Sequence, residues 1–208
     1  MEWFQLPLGP MQTNAYILYN DHKECLIIDP GEEPEKIKQF ISKKELNPVA
    51  ILLTHAHFDH IGALEAIRSH YKIDVYMHIQ EKSWLQDPDK NGSGLFQGIT
   101  PITASPAENL WEREESSQIG NFRFELMHTP GHSPGSISFY FRESSILISG
   151  DVLFKGSIGR TDLPGGNMDI LMQSIKKLLT LDSHTYVLSG HGPVTTLSDE
   201  NRQNPFLQ

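Results

Sequence analysis

The apolar run Val49-Ala50-Ile51-Leu52-Leu53 ends directly on Thr54-His55-Ala56-His57-Phe58-Asp59-His60. A continuous apolar run of this length behind Pro48 reads as a buried strand. The chain must therefore fold with this strand inside and three imidazoles and a carboxylate at its end. Packing gives no reason for so many polar donors against a core. In an extended segment His55 and His57 point to one side, because side chains alternate along a strand, so together they can hold one cation. A turn at Phe58-Asp59-His60 then swings a carboxylate and a third imidazole toward a neighbouring position, where a second cation can sit.

Four donors are too few for two complete shells around a zinc-like ion, which takes imidazole nitrogen and carboxylate oxygen. Three further donors stand at the ends of apolar runs between small residues: His132 in Pro130-Gly131-His132-Ser133-Pro134-Gly135, Asp151 in Ser149-Gly150-Asp151, and His191 in Gly190-His191-Gly192. Small flanking residues allow close backbone approach to a bound ion. His22, His70, His78, His128 and His184 lack such a setting and are read as ordinary surface or core residues.

Around these donors the pattern is α/β. Short apolar runs at 14–20 and 24–29, split by Asp21-His22-Lys23, predict two strands joined by a tight turn, and Pro30-Gly31 closes the second strand. Helical spacing predicts helices over 33–44, 61–71 and 169–181, with Pro34 suited to a first turn. Further strands are predicted at 73–78, 122–128, 137–141, 145–149 and 186–188. Residues 87–107 hold Pro88, Gly92, Gly94, Gly98, Pro101 and Pro106, which predicts a long loop of the kind that serves as a lid or mobile rim. The chain is expected to form one domain, residues 1–208.

Lys and Arg number 17 against 26 Asp and Glu, a formal charge of −9. That balance disfavours nucleic acid and anionic membranes as partners. The N-terminal residues have neither a basic start nor a sustained apolar run, so no export signal or membrane span is expected, and the location is read as cytoplasmic. Cys25, the single cysteine, excludes an intrachain disulfide and sits in an apolar run as a small core residue rather than a nucleophile.

The segments 54–60, 129–136 (Thr-Pro-Gly-His-Ser-Pro-Gly-Ser), 150–154 (Gly-Asp-Val-Leu-Phe) and 190–193 (Gly-His-Gly-Pro) closely resemble the metallo-β-lactamase superfamily, in order and spacing most like its short bacterial glyoxalase-II-like branch. The resemblance implies an αββα sandwich, two central mixed sheets flanked by helices. It implies that His55, His57 and His132 hold one divalent cation, that Asp59, His60 and His191 hold the other, and that Asp151 bridges both. Zinc is the expected metal, with iron or manganese the alternatives. Asp29, at an Asp-Pro-Gly strand end, matches the family's aspartate that orients the ligand loop. Arg160, Lys155 and Ser157 lie where the family contacts substrate, although Arg160 could equally pair with Asp162.

Two cations roughly 3.5–4 Å apart make hydroxide available near neutral pH and polarise a carbonyl. The resemblance thus implies hydrolysis of a small-molecule S-lactoyl thioester by metal-bound hydroxide, with Asp59 and Asp151 counted in the catalytic centre. Only residues 192–208 follow His191, so the helical domain that binds glutathione in longer members is not expected, and the carrier thiol stays open. A persulfide dioxygenase with one iron shares the ligand pattern and a loop like Gly159-Arg160-Thr161-Asp162. A non-catalytic metal-binding module is a further alternative, disfavoured because structural zinc sites are closed. β-Lactam hydrolysis is disfavoured by the lack of an export signal, and nuclease activity by the net charge.

Overall fold

An N-terminal segment without a continuous apolar run forms a strand, β1 (Glu2–Leu8), in the computed structural model, which describes residues 1–208. Its exposure alternates and it pairs antiparallel with β2 (Thr13–Tyr19) only, so it is an edge strand, where Pro7 is tolerated. β2 turns back into β3 (Glu24–Ile28), and parallel pairing then carries the sheet through β4 (Asn47–Leu52), β5 (Val75–His78) and β6 (Asn109–Trp111). The sheet order is β1-β2-β3-β4-β5-β6.

Two compact units divide the chain: residues 1–112 with 118–122, and residues 113–117 with 123–208. In the first, α1 (Pro34–Lys44) and α3 (Leu64–Tyr71) are the crossovers that parallel strands require. Ile37 and Ile41 of α1 and Leu64 and Ile67 of α3 join Cys25, Ile27, Ile51 and Leu53 in one buried cluster. Each such side chain contributes about 1.5–3 kcal/mol by leaving water. Cys25 is fully buried, and burial pushes its thiol up to about 12. Iodoacetamide is therefore expected to leave the native protein unlabelled at pH 8 and to label it once in denaturant; rapid labelling of the native chain would contradict this packing.

The helix expected over 61–71 is divided. α2 (Phe58–Ile61) is a single turn, and α3 follows after Gly62 and Ala63. A Cβ at Gly62 would collide with the Gly31 carbonyl, and one at Gly31 with the Asp59 carbonyl, so the chain passes Pro30-Gly31 too closely for a side chain. The Ala63 N–H donates to the Pro30 carbonyl at 2.9 Å across that approach. The break is what separates the ligand turn from the packing helix.

Residues 87–107 are not a free rim. α4 (Pro88–Asn91) opens the segment, and fully buried Asn91 donates its amide to the Trp84 and Ile102 carbonyls at 3.1 and 2.9 Å while accepting from the Ser93 N–H and hydroxyl. One asparagine thus ties both ends of the loop, an arrangement that composition does not reveal.

The second sheet contains β7 (Glu115–Ile119), β8 (Phe122–His128), β9 (Ile137–Phe141), β10 (Ile146–Gly150), β13 (Tyr186–Ser189) and β14 (Thr195–Thr196), in the order β14-β13-β10-β9-β8-β7. Only β10 and β13 pair in parallel among its registered pairs, and α5 (Met168–Leu178) is the crossover between them. Its apolar face, Leu171, Ile175 and Leu178, packs with Tyr140, Leu147 and Val187. The Asn167 side chain caps α5 by accepting the Ile170 N–H. A short hairpin, β11 (Leu153–Phe154) with β12 (Ser157–Ile158), follows β10, and α6 (Leu197–Gln203) ends the chain's regular structure. The fold class is the expected one, α/β with two mixed sheets and flanking helices. No helix is long and apolar enough to cross a membrane.

Candidate metal centre

In the first unit the donors lie where β4 gives way to α2. His55, His57 and His60 are buried, with ring centroids 4.8 Å apart for His55 and His57 and 4.1 Å apart for His55 and His60. His57 is still extended and sits immediately before α2, whose turn places Asp59 and His60. The Thr13 hydroxyl at the start of β2 donates to Asp59 Oδ2 at 2.7 Å and fixes that carboxylate.

Asp29 governs the orientation of these rings. Its Oδ1 accepts the Thr54 N–H at 2.8 Å, and its Oδ2 accepts the Thr54 hydroxyl at 2.6 Å and His60 Nδ1 at 3.0 Å. Because the Thr54 proton is committed to Asp29, the contact of Thr54 Oγ1 with His55 Nδ1 at 3.0 Å requires the imidazole to donate. Both rings therefore carry their proton on Nδ1 and present the Nε2 lone pair as ligand. Asp29, His55 and His60 also lie close enough to suggest a three-donor site of their own. Asp29 has both oxygens engaged in these hydrogen bonds, which fits a carboxylate that holds the imidazoles in place. It holds φ +46°, a left-handed conformation that aspartate tolerates better than most side chains.

In the second unit His132, Asp151 and His191 converge. His132 Nδ1 donates to the Arg160 carbonyl at 2.9 Å, which leaves its Nε2 as the lone-pair nitrogen. Asp151 Oδ2 lies 3.6 Å from His132 Nε2 and 3.5 Å from His191 Nε2. Gly159 allows this loop to close, since a Cβ there would strike the Asp151 carbonyl. His191 is the most exposed of the three, at 29% of its side chain.

The donor chemistry fits divalent cations. Separations of 3.5–3.6 Å are too long for hydrogen bonds. They match the edge of a tetrahedron whose centre lies about 2.0–2.2 Å from nitrogen and oxygen ligands, close to 3.4 Å. Asp59 Oδ2 and His60 Nε2 show the same spacing, 3.6 Å. The Nδ1 partners supply the outer-shell bonds that metal-bound histidines use to fix tautomer and ring angle.

Residues 8–191 match the Metallo-beta-lactamase superfamily. The chain belongs to that superfamily. A probable metallo-hydrolase of Bacillus subtilis, YqgX, is 56% identical over all of this chain and 98% of its own. The hydroxyacylglutathione hydrolase GloC of Haemophilus influenzae is 37% identical, covering 97% of this chain and 96% of its own. Among solved structures, BLEG-1 B3 metallo-beta-lactamase superposes with a TM-score of 0.97 at 54% identity over the full length of both chains. TTHA1623 in a di-iron-bound form superposes at 0.87 with 41% identity, covering 98% of this chain and all of that one. The chain is thus a metallo-hydrolase of the metallo-β-lactamase superfamily, with clustered donors for divalent metal.

The loop expected to meet substrate is placed less simply. Arg160 makes two 2.7 Å bonds to Asp162, the local pairing that its sequence neighbourhood allowed, and the guanidinium holds the Asp162 carboxyl down at about 2. Lys155 lines a cavity of about 360 Å³ with Thr195, Asp199, Glu200 and Gln203. Half-buried Ser157 lies on β12, where its carbonyl accepts from Asn204. His128, in the strand before His132, bonds the Pro134 carbonyl at 2.9 Å.

Three residues of the metallo-β-lactamase core gave no sequence signal as site residues. Thr13 braces Asp59 from 46 positions away. Glu81 accepts the Ala56 N–H between the two histidines. Buried Glu200 accepts from the Gly156 N–H and the Thr195 hydroxyl at 2.8 and 2.6 Å, tying the hairpin after Asp151 to α6.

Proposed function

We propose that this chain hydrolyses small acyl thioesters, S-lactoyl thioesters among them, at a centre of two divalent cations. His55, His57 and His132 would hold one cation, Asp59, His60 and His191 the other, and Asp151 both. The observation that carries this reading is the placement of Asp151 Oδ2 at metal-ligand edge distance from two imidazole Nε2 atoms at once. The likeness to GloC, a hydroxyacylglutathione hydrolase, supports the thioester.

Bound cations supply Lewis acidity and lower the pKa of water toward neutrality. The chain's own residues engage Nδ1 of His55, His60 and His132 and turn Nε2 outward as the other ring nitrogen. A thiolate leaving group has a low pKa and needs little protonation, so the reaction makes no demand for a dedicated general acid. The Arg160–Asp162 pair is half exposed, and exposed pairs are held weakly. Its guanidinium is therefore available to a substrate carboxylate, whereas Lys155 stands beside the carboxylates of Asp199 and Glu200.

A second reading, β-lactam hydrolysis, draws on the likeness to BLEG-1. The deciding experiment is metal quantification on purified protein, followed by parallel assays with S-lactoylglutathione, a chromogenic cephalosporin, and glutathione persulfide in an oxygen electrode. About two equivalents of metal with thioester cleavage as the fastest reaction is the expected result. Faster cephalosporin turnover, or oxygen consumption with persulfide, would overturn the thioester assignment.

A further inference from the structure

We infer that Glu81 is a positioning residue for the metal centre, acting through the Ala56 peptide to set the geometry of His55 and His57 together. The inference rests on the reading of those two histidines as ligands. Glu81 is fully buried, and its Oε2 accepts the Ala56 N–H at 2.6 Å.

Ala56 lies just beyond the end of β4, where the sheet no longer supplies acceptors in register, and it is itself fully buried. A buried N–H needs a partner, but a carbonyl or an uncharged amide would serve. The acceptor that Glu81 supplies has a particular rationale at Ala56, because this peptide links the two histidines of the H-x-H pair. Rotating it changes the backbone angles on both sides and moves both imidazoles. Metal–ligand distances tolerate only about ±0.2 Å.

The rest of the segment is built to hold the carboxylate still. Glu81 ends a 3-10 turn, Ile79–Glu81, capped by His78, whose Nδ1 accepts the Gln80 N–H. The next turn, Trp84–Gln86, sets the buried Trp84 ring 5.7 Å from the His57 ring at 38°. The segment 79–86 therefore contacts the ligand loop twice, at the Ala56 peptide and at the His57 ring.

The test uses the full chain stripped of metal and titrated with cobalt(II), reading affinity and the d–d absorption bands, with circular dichroism as a check on folding. Glu81→Ala is expected to weaken cobalt binding roughly 10–100-fold, as loss of outer-shell partners does, and to shift the bands. Glu81→Gln keeps the shape and an acceptor oxygen for the Ala56 N–H, and its loss is expected to stay below the roughly 10-fold floor of that range, with wild-type bands. An alanine variant with wild-type affinity and spectrum overturns the inference. So does a glutamine variant that loses as much as the range predicts for alanine, and this arm decides the matter if the alanine variant fails to fold. A wild-type chain that takes up no cobalt would instead overturn the metal reading on which the inference stands.

Discussion

Replacing Asp151 by alanine is expected to lower thioester kcat/KM by at least the order of 10²–10³-fold that loss of a single charge-stabilising group produces, and to lower bound metal below two equivalents. Asp151 is brought to edge distance from both His132 and His191 Nε2, so on the two-cation reading its removal takes charge and a shared ligand from both positions. Folding should survive. The side chain is not part of the apolar cluster that joins β10, β13 and α5, and its backbone carbonyl, which Gly159 must pass, is untouched. Metal content, steady-state kinetics and a thermal melt on the same preparation check the claim. Activity near the wild-type level in a variant that still folds would sink the two-cation mechanism.

The donors themselves were legible because each obeys a local rule. His55, His57, Asp59 and His60 stand out by clustering directly after an apolar run, and His132, Asp151 and His191 by standing at the ends of apolar runs beside glycine. Helix α1 was legible too, since Pro34, Ile37 and Ile41 combine a start signal with a core-facing period. Helix α3 was legible only in part. Its true start depends on the close passage of Gly62 over Gly31, a contact between segments that no periodicity encodes. Strand β1 escaped for the same kind of reason, because an edge strand needs few apolar residues and draws its stability from pairing with β2.

What the pattern concealed is the support of the site rather than its ligands. Thr13, Glu81 and Glu200 act on partners 46, 25 and 44 positions away, two of them through backbone N–H groups. Nothing in Gln80-Glu81-Lys82 distinguishes a buried acceptor from a solvated surface glutamate. Asn91 is a similar case, since a breaker-rich segment reads as loose until its amide is seen to bind both ends. Asp29 was the exception, visible because Asp-Pro-Gly at a strand end resembles the superfamily's aspartate that orients the ligand loop, whereas the turn alone would have marked it as an ordinary turn residue.

Asp29 also carries the second large expectation. Its loss would strand three buried donors, the Thr54 N–H, the Thr54 hydroxyl and His60 Nδ1. Each unmet group costs about 1–3 kcal/mol. Asp29→Ala is therefore expected to destabilise the metal-free protein by about 3–5 kcal/mol, a melting-temperature drop on the order of 10 °C for a chain of this size. Part of that effect is conformational, because alanine resists the φ of +46° by about 1–2 kcal/mol. Asp29→Gly separates the two causes, since glycine accepts the backbone but restores no hydrogen bond. The glycine variant should melt above the alanine variant, yet both should lose metal affinity equally, by roughly 10–100-fold, because neither holds His55 or His60 in its Nδ1–H form. Should both variants bind metal as tightly as wild type while melting lower, Asp29 would be a turn residue and nothing more. Should the glycine variant regain affinity along with stability, the backbone conformation rather than the carboxylate would be what orients the histidines.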